Sequence, residues 1–85
     1  MADIVVYSKS WCPYCQRAKA LLTEKGAAFT EIDIEEHPEQ RSDMIAKAGG
    51  RTSVPQIFIN GSHVGGCDDL FALDSRKGLD ALLAA

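Results

Sequence analysis

The sequence predicts an α/β fold in which a four-stranded mixed β-sheet is flanked by helices. Three observations carry this prediction. Short apolar strand-like runs alternate with segments of helical period. A helix-length segment separates the first two strands, the connection that parallel strands require. An Asn-Gly pair separates the last two, which marks an antiparallel hairpin. Taking the elements in order, residues 3–7, Asp-Ile-Val-Val-Tyr, read as a buried strand. Residues 13–25 form an amphipathic helix with Ala18, Leu21 and Leu22 on one face and Arg17, Lys19, Glu24 and Lys25 turned elsewhere. Pro13 suits its first position, having no N–H to leave unpaired, and Gly26 stops it. Residues 28–34 alternate as a half-buried second strand. Pro38 opens a helix that runs to about Ala48 with Met44, Ile45 and Ala48 on its apolar side, and Gly49-Gly50 closes it. Residues 51–55 are loop. Gln56–Ile59 and Ser62–Gly65 flank Asn60-Gly61, the pair favoured in a type I′ turn because both central residues need positive φ. A C-terminal helical region starts at Asp68, breaks over 75–78 and resumes to Leu83. The order is βαβαββα plus a C-terminal helix, and residues 1–85 are expected to form a single domain.

Composition removes whole classes of function. The 85 residues are 46% hydrophobic and 25% charged, ordinary for a globular chain, and the net charge of −3 leaves no basic footprint for nucleic acid or an anionic membrane. No segment approaches the ~18 consecutive apolar residues of a membrane span, and the start lacks the basic-then-apolar pattern of a secretory signal. We therefore expect a cytoplasmic monomer with neither nucleic acid nor membrane as partner. Three cysteines, an odd count, do not suit a secreted disulfide scaffold. Cys12 and Cys15, in Trp11-Cys12-Pro13-Tyr14-Cys15, instead stand where strand gives way to helix, which reads as a catalytic thiol pair. The unpaired amides and positive dipole end of a helix N-terminus favour an anion, so Cys12 is expected to act as the thiolate nucleophile. Cys15, one turn in, lies closer to the core.

Other residues carry two readings each. Lys9, three positions before Cys12, suits a substrate carboxylate or plain solvent. Tyr14 suits a groove wall or simple packing, and Trp11 suits contact with a partner or partial burial against the loop. Val54-Pro55 is extended before the proline, where a cis bond costs only about 0.5–1 kcal/mol; it forms a binding edge or merely starts the third strand. Gly65-Gly66-Cys67-Asp68-Asp69 turns sharply into a helix whose first amides can hold an anion, or is a bare glycine turn with an acidic cap. His37 and His63 receive no role. Cys12, Cys15, His63 and Cys67 lack the paired spacing of a zinc site, and zinc would quench the thiolate.

Cys12-Pro13-Tyr14-Cys15, Thr52-Ser53-Val54-Pro55 and Gly65-Gly66-Cys67-Asp68-Asp69, in this order and spacing, resemble the dithiol glutaredoxins across essentially the whole chain, in the manner of the small bacterial glutaredoxin 3 kind. Ser53 departs from the family's more frequent second threonine, and Trp11 stands where a smaller polar residue is common. The resemblance implies a thioredoxin-like fold. It also implies a glutathione-dependent thiol–disulfide oxidoreductase that reduces protein–glutathione mixed disulfides and protein disulfides. Cys12 would be the nucleophile and Cys15 the resolving thiol, with no tightly bound cofactor and glutathione as co-substrate. The same resemblance implies a cis Val54–Pro55 bond that leaves the Val54 backbone free to pair with an extended substrate, lined by Thr52 and Ser53, with Arg51 a weaker carboxylate candidate. Lys9 would meet the glycine carboxylate of glutathione and Tyr14 would wall the groove. Gly66, Cys67 and Asp68 would receive the γ-glutamyl end. There the amides of Cys67 and Asp68 take the α-carboxylate, and the Asp68 carboxylate takes the α-ammonium with Asp69 in reserve. The Cys67 side chain is expected to be passive. Partners would be glutathione and glutathionylated or disulfide-containing proteins, with ribonucleotide reductase a candidate.

Two other functions fit less well. An iron–sulfur carrier dimer would hold a cluster through Cys12 and glutathione of each copy, but cluster-carrying relatives usually have glycine or serine where this chain has Pro13. A thioredoxin-like donor served by a reductase would have Gly-Pro in place of Pro13-Tyr14 and no γ-glutamyl turn.

Overall fold

The computed structural model describes residues 2–84. Eight elements follow one another: β1 (Ile4–Ser8), α1 (Pro13–Glu24), β2 (Thr30–Asp33), α2 (Glu39–Lys47), β3 (Gln56–Ile59), β4 (Ser62–Gly65), α3 (Cys67–Ser75) and α4 (Gly78–Leu83). The strands lie in the order β2-β1-β3-β4. β1 runs parallel to β2 and antiparallel to β3, and β3 pairs antiparallel with β4. The mixed sheet, the crossover through α1 and the closing hairpin are therefore all present as the pattern predicts. Asn60 (φ 52) and Gly61 (φ 82) both adopt the left-handed conformation that a type I′ turn needs. β2 is shorter than expected, four residues with Thr30 and Glu31 exposed. It is an edge strand with β1 as its one neighbour, so its alternation is blurred; Phe29, just before it, packs into one core and Ile34, just after it, into the other.

Strand alternation divides the apolar residues between two faces. Ile4, Val6, Ile57 and Ile59 meet Ala18, Leu21 and Leu22 of α1, Leu70 of α3 and Leu79 of α4. On the other face Tyr7 and Phe58 meet Ile34 and Met44, with Ala48 just past the end of α2. Truncating a fully buried Leu22 or Met44 to Ala is expected to cost about 2–5 kcal/mol. Lys25 binds Asp74 at 2.8 Å and Asp80 at 2.9 Å, tying the end of α1 to α3 and α4 and holding its own ammonium well above its ordinary value.

Among the described residues, the polar Ser8 and Gln56 are wholly buried. Ser8 Oγ donates to Glu31 Oε2 at 2.6 Å, and the same oxygen receives Lys19 Nζ at 2.8 Å. Lys19 first, then Ser8, holds the Glu31 carboxyl below its usual range. This bridge joins β1, β2 and α1 next to the loop that follows β1. Among the described residues no helix is long and apolar enough to cross a membrane.

Candidate active site

The loop after β1 delivers Cys12 as the N-cap of α1 in extended conformation (φ −146, ψ 103), and Pro13 follows inside the first turn. The Cys12 sulfur accepts the Cys15 N–H at 3.2 Å, so one of the helix's unpaired donors is spent on it. As a thiol, Cys12 can donate to Val54 O, 3.7 Å away. The first turn of α1 holds no acidic residue to oppose charge on the sulfur. Cys12 is partly exposed whereas Cys15 is 0% exposed. Burial above all, then the hydrogen bond and the charge of Cys12, pushes the Cys15 thiol up to about 12. One sulfur is thus open to solvent and served by a donor, while the other is shut in and protonated. All three cysteines are free thiols.

Two turns face this pair. Val54–Pro55 is a cis peptide, preceded by the exposed Thr52 and Ser53. The other turn needs glycine at Gly65, whose φ is +121 and whose Cβ would strike the Asp69 carboxylate, 2.7 Å from Cγ. At Gly66, the N-cap of α3, a Cβ would come no closer than 3.4 Å, against Pro55 O. Asp69 Oδ2 accepts the Gly66 N–H at 2.9 Å and Arg51 Nη1 at 3.0 Å. Those two contacts, the backbone one first, hold its carboxyl below the usual carboxylate range. Asp69 is therefore committed to the cap of α3, and the exposed Asp68 beside it takes no part in that cap.

Of the residues singled out from the sequence, Tyr14, Ser53, Val54, Pro55, Gly66, Cys67 and Asp68 line one groove of about 190 Å³, joined by Arg51 and Asp69. Val54 links this groove to Cys12. Lys9 and Thr52 are exposed and lie outside its lining. Tyr14 is 55% exposed and Trp11 92%, so Trp11 is not partly buried against its loop. The Cys67 thiol is buried, and burial followed by the nearby Asp68 charge pushes it up, away from thiolate character. A larger groove, about 410 Å³ between Lys47 and the hairpin tip at Gly61, contains no cysteine. Among the described residues no group of three or more His, Cys, Asp or Glu is arranged to hold a metal ion.

Three features went unread in the sequence. Gly65 is the glycine whose backbone demands it; the Gly-Gly pair signals a turn without saying which member is strained. The Arg51–Asp69 pair joins residues 18 apart and leaves no local pattern. Gln56 could have been noticed as the one polar residue in Gln56-Ile57-Phe58-Ile59.

The glutaredoxin family model matches residues 4–64 of the chain. Glutaredoxin 3 of Escherichia coli (strain K12) is 58% identical over 83 residues, a match that covers 98% of this chain and 99% of that one. The solution structure of glutaredoxin from Brucella melitensis superposes with a TM-score of 0.84 at 54% identity, covering 98% of this chain and 89% of that one. The crystal structure of a buckwheat glutaredoxin–glutathione complex does so with a TM-score of 0.89 at 30% identity, covering 98% and 77%.

Proposed function

The chain belongs to the glutaredoxin family, thiol–disulfide oxidoreductases of thioredoxin-like fold, and from that premise we propose that it reduces protein–glutathione mixed disulfides and protein disulfides at the expense of glutathione. The observation that carries this reading is the inequality of the two thiols. Cys12 caps a helix, is reachable, and receives the Cys15 N–H; Cys15 is buried and protonated.

The Cys12 thiolate attacks the glutathione sulfur of a glutathionylated protein. A Cys12–glutathione disulfide forms, and the protein thiolate leaves and takes a proton from water. The thiolate of a second glutathione attacks the glutathionyl sulfur, releasing glutathione disulfide and regenerating Cys12. With a protein disulfide, Cys12 forms a mixed disulfide with one substrate sulfur. Cys15 then gives up its proton and attacks the Cys12 sulfur, releasing the reduced protein and leaving a Cys12–Cys15 disulfide that two glutathiones reduce. A buried, protonated resolving thiol does not compete for the first attack, since thiolate is the nucleophile.

The groove supplies recognition. Val54 presents its backbone at an edge where the peptide-like glutathione can pair, beside Thr52 and Ser53, and Tyr14 walls the groove. The amides of Cys67 and Asp68 at the start of α3 suit the γ-glutamyl α-carboxylate, with Gly66 allowing close approach. Asp68, outside the cap that occupies Asp69, suits the α-ammonium. Lys9, on the exposed loop before Cys12, is assigned the glycine carboxylate. A reducing cytoplasm, where glutathione keeps thiols free, is the compartment that fits this chemistry.

Trapping tests the reading. The Cys15→Ser variant, mixed with glutathione disulfide and digested under non-reducing conditions, is expected to carry one glutathionyl group on the Cys12 peptide. Glutathionylation of Cys67 in place of Cys12, or of neither, would overturn the assignment.

A further inference from the structure

β3 begins with a carboxamide that is 0% exposed, Gln56, two residues before Phe58 and therefore on the same face of the sheet. A buried amide needs a partner for each of its ends. Its Nε2 lies 2.9 Å from Ser53 O and 3.3 Å from Ser53 Oγ, and its Oε1 lies 2.7 Å from His63 Nε2. Chemistry orients these contacts from one end to the other. The Ser53 carbonyl can only accept, so the amide nitrogen must face it. The amide oxygen then faces His63 and can itself only accept, so His63 must carry a proton on Nε2. Packing holds the ring in position to donate, for His63 stands opposite Phe58 in the β3–β4 register, with ring centroids 5.0 Å apart and planes inclined by 30°.

We propose that His63 is a positioning residue for glutathione. Through Gln56 it fixes Ser53, and with Ser53 the loop that presents Val54 to the substrate. This rests on the reading of the Ser53–Pro55 edge as part of the glutathione groove. His63 itself lies outside the groove lining, at the far end of a three-residue hydrogen-bonded chain. The chain also accounts for a wholly buried amide in an otherwise apolar strand, since Gln56 can span from β4 to the loop where an aliphatic side chain could hold neither.

Two measurements test the proposal. In the unmodified protein a long-range ¹H–¹⁵N correlation spectrum, recorded where the ring is neutral, is expected to show the Nε2–H tautomer; the Nδ1–H tautomer would overturn the relay. The second compares kcat/KM on one peptide carrying either a glutathionyl or a cysteaminyl disulfide. His63→Phe keeps a ring against Phe58 and deletes the donor, whereas His63→Gln gives up the ring and restores an amide N–H at similar reach. The ratio of the two rates is expected to fall about five-fold in His63→Phe, the effect of one hydrogen bond of about 1 kcal/mol, and to recover in His63→Gln. An unchanged ratio in His63→Phe overturns the relay, and so does a His63→Gln as poor as His63→Phe, which would assign the loss to the ring. A wild-type protein with no preference for the glutathionyl peptide would overturn the groove reading itself, a result that no His63 variant can imitate.

Discussion

Two helices begin at the same groove, and they are furnished in opposite ways. α1 starts with a sulfur as its cap and has no acidic residue in its first turn. α3 starts with Gly66, which has no side chain to offer, and carries both Asp68 and Asp69 in its first turn. Every helix start presents unpaired N–H groups and positive potential. At α1 that potential is left for a charge that comes and goes with the reaction. At α3 it is partly answered in advance by Asp69, folded back on the Gly66 N–H, and what remains is a mixed site of free amides and one spare carboxylate. The first arrangement suits a nucleophile and the second a zwitterion, the α-carboxylate and α-ammonium of a γ-glutamyl group.

The severest test of this contrast removes the sulfur from α1. Cys12→Ser is expected to abolish exchange with every disulfide. Cys15→Ser should still deglutathionylate a peptide and lose reduction of protein disulfides, because only the second reaction needs a resolving thiol. Parallel assays on a glutathionylated peptide and a disulfide protein check both. Residual turnover by Cys12→Ser would mean that the α1 terminus does not hold the nucleophile.

A smaller effect is expected at α3. Asp68→Ala should lower kcat/KM for a glutathionylated peptide roughly ten-fold, about 1.4 kcal/mol, the low end for a charge-assisted contact at an exposed position. The same peptide carrying a cysteaminyl group, which has no γ-glutamyl end, should react as before. Equal losses on the two would show that Asp68 serves the helix and not the substrate.

Most of this contrast was legible in the sequence where it is local. Pro13 beside Cys12 announces a helix start at the thiol, and Asn60-Gly61 announces the hairpin that brings residues 65–69 back over the sheet. One crossover and one hairpin give the β1–β2 and β3–β4 pairs, whereas the antiparallel β1–β3 pairing that joins them into the order β2-β1-β3-β4 is non-local and leaves no such signal. What escaped was non-local. Asp68 and Asp69 are chemically alike and adjacent; the bond of Asp69 to the Gly66 N–H separates their duties, and its reinforcement by Arg51, on a loop 18 residues earlier, leaves no local pattern. His63 is exposed, as its place on a short exposed strand suggests; what the sequence does not show is its bond to the buried Gln56, seven residues away on the neighbouring strand. The four-residue β2 was overdrawn because edge position, which removes one neighbour, cannot be seen in the alternation of 28–34.

Making α1 resemble α3 sharpens the comparison further. Gln16→Glu places a carboxylate just past the first turn of α1 while leaving both thiols intact. The added carboxylate stands four residues after Cys12, a spacing at which like charges on a helix oppose one another by about 0.2–0.5 kcal/mol. Alkylation of Cys12 by iodoacetamide, compared at a pH where the rate still rises with pH, is accordingly expected to slow by up to about two-fold. The effect should shrink as salt is added. Peptide mapping after the reaction should find Cys15 unmodified in the folded protein, since a buried thiol pushed up to about 12 offers almost no thiolate. A rate that is unchanged at low salt would mean that the potential at the α1 terminus does not act on the sulfur.

A final test concerns the acid that α3 already carries. Asp69→Ala removes the acceptor for the Gly66 N–H and the partner of Arg51. A lost helix cap typically costs about 0.5–2 kcal/mol, and this carboxylate is half exposed, so a loss of about 0.5–1 kcal/mol at neutral pH is expected, a few degrees in Tm. The pH dependence follows from the direction of the shift. The folded Asp69 carboxyl titrates below its ordinary 3.8, so its contribution is fully present above that value and disappears as pH falls through the lower, folded one. Urea melts of both proteins should therefore differ at pH 7 and converge progressively below pH ~4. A gap of equal size at both ends of that range would show that the turn into α3 is held by its glycine geometry alone, and the contrast between the two helix ends would then lie in their backbones and not in their charges.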